Sequence, residues 1–94
     1  MRLRFSRRAR LDLAEIGDFI TRDSYECAAA FVRMLRERCR TLIAFPEIGP
    51  LRPDIGPGIR VLTHERYLVL YVVDADVIEV RRIVHGARDL QRLR

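Results

Sequence analysis

The side chains able to do chemistry in this sequence crowd toward its C-terminal third. Residues 81–89 read RRIVHGARD: two adjacent arginines, an apolar pair, a histidine, a glycine, then a third arginine and an aspartate. The chain's other histidine, His64, stands upstream with Tyr67 and Tyr71. All 18 basic residues are arginine and lysine is absent. Arginine stays protonated in proteins, so it binds carboxylate or phosphate and stabilises charge, but it is a poor general base. Cleavage of RNA through its 2′-hydroxyl needs a base, an acid and a stabiliser of phosphoryl charge. Arginines supply the last role in abundance. His85, His64 and Tyr71 are the candidates for the first two.

Each of these residues also has a plainer reading. His85 closes the last apolar run and reads as a strand-end residue held by a hydrogen bond, with the general acid–base capacity of an imidazole its only catalytic credential. His64, between a threonine and a glutamate, falls in a turn, where a histidine is usually solvated. Tyr67 and Tyr71 differ by four, which puts them on one side of a strand and suits core packing with the hydroxyl at an edge. Arg81 and Arg82 are neighbours, so strict alternation sends them to opposite faces. One of them then shares the face of Ile78, Val80 and Val84 and needs a carboxylate partner or an exit to solvent. Arg88 and Asp89 form a surface pair of small energetic value. Gly86 lets the backbone leave the strand.

The elements that must carry these residues follow from periodicity. MRLRFS alternates Leu3 and Phe5 with arginines, the pattern of a short strand with one wet face. Ser6 suits an N-cap, and Ala9, Leu13, Ile16 and Ile20 recur at helical spacing, with Asp12, Glu15 and Asp18 turned elsewhere. That helix stops near Arg22 and Asp23. Ser24 can cap a second helix with Phe31, Leu35 and Leu42 as its apolar stripe and Arg33, Arg36, Glu37 and Arg40 facing water. A link this short predicts an antiparallel helix hairpin.

After Phe45, the stretch PEIGPLRPDIGPG holds all four prolines and three of the five glycines, which excludes helix and central strand and predicts a long connecting loop. IRVLT, YLVLYVV and VIEVRRIVH then follow, separated by HER and DAD, as three antiparallel strands. The middle run is apolar almost throughout, as in a strand covered on both faces. A polar tail from Gly86 to Arg94 has room for one helical turn. The expected architecture is α+β: an N-terminal strand and an antiparallel helix hairpin packed on a small antiparallel β-sheet.

With 94 residues, 49% of them hydrophobic and 33% charged, the chain is a single domain over residues 1–94 with one modest core. Cys27 and Cys39 sit twelve positions apart in one predicted helix, about 18 Å by helical rise, too far to bridge. Metal-ligand spacing, a signal peptide and a bilayer-length apolar run are all missing, so the expectation is a cytoplasmic protein without metal, cofactor or membrane contact.

Taken in order, the helix ARLDLAEIGDFI, the helix AAAFVRMLRERCRTLIAFPEIG, the loop LRPDIGPGIR, the strand RYLVLYVV and the ending EVRRIVHGARD resemble the ParE branch of the RelE/ParE toxin superfamily. The resemblance implies the toxin of a bacterial type II toxin–antitoxin pair, with that family's fold of two helices on a small antiparallel sheet. It implies two partners: a cognate antitoxin, with a segment that folds over the apolar grooves of helices and sheet, and a cellular target. ParE-like members inhibit DNA gyrase, whereas RelE-like members cut mRNA on the ribosome and usually carry an aromatic residue or histidine near the C-terminus. The tail DLQRLR has neither tyrosine nor lysine, which favours gyrase inhibition and growth arrest. On this reading no residue is catalytic, and RRIVHGARD is a basic rim for recognition, with Arg60, Arg81, Arg82, His85 and Arg88 as candidate target- or partner-binding residues. Two alternatives carry different expectations. A ribosome-dependent mRNA endonuclease would use His85, His64 and Tyr71, and a non-toxic basic module would bind nucleic acid.

Overall fold

The computed structural model describes residues 1–21 and 24–89. Strand β1 (Arg2–Phe5) leads into helix α1 (Arg7–Thr21), and helix α2 (Tyr25–Ala44) follows. A loop then connects to β2 (Arg60–His64), β3 (Tyr67–Asp74), β4 (Val77–His85) and a single turn of helix, α3 (Gly86–Asp89). Both long helices begin as their sequences dictate. Ser6 Oγ accepts the Ala9 N–H at 3.0 Å, and Ser24 Oγ accepts that of Cys27 at 3.3 Å, each satisfying a donor that a helix start leaves open. The expected end of α1 at Arg22 and Asp23 and the tail beyond Asp89 lie outside the described residues.

The sheet order is β1-β4-β3-β2. β2, β3 and β4 form the expected antiparallel meander, but β1 joins it parallel to β4, with Leu3 opposite Ile78 and Phe5 opposite Val80. The sheet is therefore mixed, since a strand that reaches its neighbour only through a helix pair can arrive parallel. The helices cover one face. Leu13, Ile16, Leu35, Cys39 and Leu42 close there over Val69, Tyr71, Ile78, Val80 and Ile83. Ile55 and Ile59 of the proline-rich loop pack on the other face with Val61, Leu70 and Val84. β3 is thus covered on both sides, which explains its continuous apolar run.

The two hairpin turns are shorter than their sequences suggest. His64 pairs with Tyr67 and Asp74 with Val77, leaving two-residue connections Glu65-Arg66 and Ala75-Asp76. Glu65 (φ 54°) and Ala75 (φ 51°) supply the left-handed backbone that such turns need. His64 is accordingly the last residue of a strand and not a turn residue.

The alternation expected along β4 fails at one place. Tyr71 faces Val80 and Leu70 faces Arg82, so Arg81 is an extra residue without a partner, a β-bulge. The bulge shifts the parity of everything after it. Ile78 and Val80 share the helix-facing side with Ile83, while Val84 goes to the loop-facing side.

Candidate functional site

Three of the five candidate binding residues meet in one place. Arg82, His85 and Arg88 line an open groove of about 640 Å³ between α1 and the C-terminal half of β4, with Arg8, Asp12, Glu15, Ile16, Asp18 and Phe19 of α1 as the facing wall and Tyr67 between. The groove exists because β1 is too short. Its pairing ends at Phe5 opposite Val80, and the chain turns away there, with Ser6 N–H on the Val80 carbonyl and Ser6 Oγ–H on that of Arg81. From Arg82 onward the outer edge of β4 has no strand beside it among the described residues, and α1 leans over the gap.

Arg82 pairs with a carboxylate, although the bulge takes it off the face of Ile78 and Val80 that it was expected to share. Asp12 Oδ2 accepts from Arg82 Nε at 2.9 Å and from the Ile83 N–H at 2.9 Å, while Oδ1 accepts from Arg82 Nη2 at 3.3 Å. Arg8 Nε stands 3.5 Å from the same carboxylate. Asp12 is only 4% exposed and is the one buried charged residue among those described. The expectation that it turns away from the core was wrong, for a reason legible in hindsight. Position 12 is three after Ala9 and four before Ile16, on the buried stripe itself.

At the far end of the groove the last turn folds onto the strand. Asp89 accepts the His85 N–H at 3.1 Å and pairs with Arg88 Nε at 3.1 Å, while His85 Nδ1 accepts the Arg88 N–H at 3.3 Å. His85 is thus held at a strand end through both its backbone N–H and its Nδ1. Its ring stands edge-on to Tyr67, with centroids 5.5 Å apart.

The other candidates are dispersed. Arg81 lies on the loop-facing side, where Arg81 Nε at 3.2 Å and Arg4 Nη2 at 2.7 Å share the carboxylate of Glu79. Burial works to raise the Glu79 pKa, but its two arginines outweigh that and hold it below its ordinary value. Arg60 sits at the opposite end of β2 and donates through Nη1 to the carbonyls of Gly49 at 2.8 Å and Glu47 at 3.3 Å, tying down the proline-rich loop.

His64, Tyr67 and His85 form one row across β2, β3 and β4. The histidines are two strand spacings apart, about 10 Å, with a tyrosine between them. Phe31 of α2 lies against both His64 and Tyr67, with centroids 5.8 and 5.4 Å away, and His64 Nε2 is buried with no hydrogen-bond partner among the described residues. Tyr71 is fully buried, and its hydroxyl donates to the Pro46 carbonyl at 2.8 Å and accepts the Gly49 N–H at 2.9 Å. Burial raises its pKa, against the opposing effect of the Gly49 bond.

A second groove runs along β1 and α2. Its apolar lining is Met1, Leu3, Phe5 and Ile43, and Arg2, Arg33, Arg36 and Arg40 surround it with Glu37 as its acidic member. Arg36 lies over the Phe5 ring, 5.7 Å from its centroid. Periodicity alone makes Arg33, Arg36 and Arg40 a solvated helix face; β1 turns that face into one wall of a groove. Among the described residues no cluster of three or more possible metal ligands occurs, and no helix is long and apolar enough to cross a membrane.

Residues 3–90 match the family model described as the ParE toxin of type II toxin–antitoxin systems, parDE. Toxin ParE3 of Caulobacter vibrioides is 27% identical over 73 residues, 78% of this chain and 73% of that protein. A solved chain described as the chromosomal ParDE toxin–antitoxin system from P. aeruginosa superposes with a TM-score of 0.79 at 30% identity, covering 90% of this chain and 95% of the other. A family match over residues 3–90, with a solved ParDE chain that superposes over most of both chains, shows that this chain belongs to the ParE toxin family of type II toxin–antitoxin systems.

Proposed function

We propose that this toxin arrests bacterial growth by binding and inhibiting DNA gyrase through the rim formed by Arg82, His85 and Arg88, and that a cognate antitoxin neutralises it. One observation carries the choice of inhibition over cleavage. The three candidate acid–base groups do not converge: His64 and His85 stand on either side of Tyr67, and the Tyr71 hydroxyl is spent inside the core. A phosphoryl transfer site needs an acid and a base within hydrogen-bond reach of one substrate. The groove instead offers arginine donors held in place by carboxylates, with Ile16, Phe19, Tyr67 and Ile83 between them, a lining that suits recognition of a protein surface.

For the antitoxin, the groove on β1 and α2 is the fitting surface. Four arginines around an apolar lining suit a segment with acidic residues flanking apolar anchors, and such a segment can fold as it binds.

Inducing the chain alone in bacteria should stop growth, with filamentation and DNA-damage signalling while mRNA stays intact. Co-expression of the antitoxin should restore growth, and the purified toxin should inhibit supercoiling by gyrase. Early cleavage of translated mRNA at codon positions would establish the endonuclease instead. Normal growth at confirmed soluble expression would remove the toxin activity altogether.

A further inference from the structure

Asp12 does more than the stability of the fold requires. Capping one open N–H at the edge of β4 is a task that a neutral side chain performs, and an ion pair on the surface avoids the desolvation that burial imposes. Here a carboxylate 4% exposed takes the Ile83 N–H and, at the same time, the Nε and Nη2 positions of Arg82. Two bonds to one edge of a planar guanidinium fix its orientation. The Nη1 and Nη2 donors of the opposite edge remain, on a side chain that is 28% exposed and lines the groove.

We propose that Asp12 is a positioning residue, which presets Arg82 in the groove wall so that its outer edge forms a docking fork for a carboxylate of a protein partner. The inference rests on the reading that this groove serves recognition. A planar two-acceptor group matches the remaining edge bidentately. A nucleic-acid backbone fits less well, because Glu15 and Asp18 line the same groove and repel a polyanion more strongly than a single carboxylate.

The test uses the full chain with nitrogen-labelled arginine. Arg82 Nε–H should exchange slowly with solvent, and Asp12→Asn should speed that exchange about tenfold or more. In growth arrest and gyrase inhibition, Asp12→Asn and Arg82→Lys should each lose about tenfold in potency, and the double variant should lose no more than either alone. A merely structural Asp12 would lower potency further in the Arg82→Lys background. Should Asp12→Asn not melt cooperatively, Arg82→Lys carries the test, since it keeps the charge and loses the fork. Fast exchange at Arg82 in the unmodified chain, full potency in either variant, or additive losses would overturn the proposal, as would displacement of Arg82 resonances by duplex DNA. A chain that neither arrests growth nor inhibits gyrase overturns the toxin activity proposed above and leaves the positioning to the exchange rates.

Discussion

Tyr71 spends its hydroxyl on two backbone groups 22 and 25 residues away, the Gly49 N–H and the Pro46 carbonyl. Gly49 has to be glycine for this contact, because a Cβ there would lie 2.6 Å from the Val61 carbonyl oxygen and 2.8 Å from the tyrosine oxygen. Tyr71→Phe should therefore destabilise the fold by about 1–3 kcal/mol, the cost of leaving buried partners unmet, seen as a lower urea midpoint with an unchanged slope. At temperatures where the variant is folded, growth arrest should persist; its loss there would make Tyr71 a functional group. Glu79 carries the acid-side prediction. Its folded pKa is depressed, so its pairing with Arg4 and Arg81 stabilises the protein above the ordinary value of 4.5 and is lost as pH falls through the folded value. The melting-temperature advantage of the native protein over Glu79→Gln should shrink between about pH 6 and pH 3. A constant difference across that range would mean that the pairing contributes nothing.

Among the elements, the hairpin turns and the short first strand decide most. A non-glycine residue in left-handed backbone costs roughly 1–2 kcal/mol, partly offset by the greater freedom glycine has when unfolded. Ala75→Gly should therefore stabilise by about 0.5–1 kcal/mol, whereas Asp76→Gly, at ordinary φ in the same turn, should destabilise by a similar amount. Thermal melts of the two variants check the sign, and equal effects would place the strain elsewhere. β1 pairs with only the first half of β4, from Val77 to Val80. That length mismatch opens the groove at Arg82, and Asp12 and Asp89 occupy the Ile83 and His85 N–H groups that a longer β1 would have taken. The same side-chain plugs protect an exposed edge from pairing with another chain.

Across the whole molecule, the helix pair and the proline-rich loop clamp the sheet from opposite faces, and the two cysteines report on that closure. Cys39 is fully buried between α2 and the sheet, and burial pushes its thiol up to about 11, while Cys27 is exposed. Iodoacetamide at about pH 8 should modify Cys27 alone in the folded protein and both thiols in urea, since only the thiolate reacts. Rapid modification of Cys39 without denaturant would show that the helix pair opens locally. Much of this architecture was legible in residue order. The spacing of Leu13, Ile16, Leu35 and Leu42, the serine caps at 6 and 24, and the proline cluster from 46 to 57 are local signals, and local physics settles them. The continuous apolar run of β3 even announced cover on both faces. Tertiary structure alone decided that β1 lies parallel to β4, that a bulge at Arg81 reverses the parity of Arg82 and Val84, and that Asp12 on α1 meets an arginine seventy residues later. Those outcomes depend on pairing register and on partners distant in sequence, where no periodicity carries information. For that reason RRIVHGARD was readable as a basic strand end, while the division of its charges, with Arg82, His85 and Arg88 in the groove and Arg81 paired away from it with Glu79, became visible only in the folded chain.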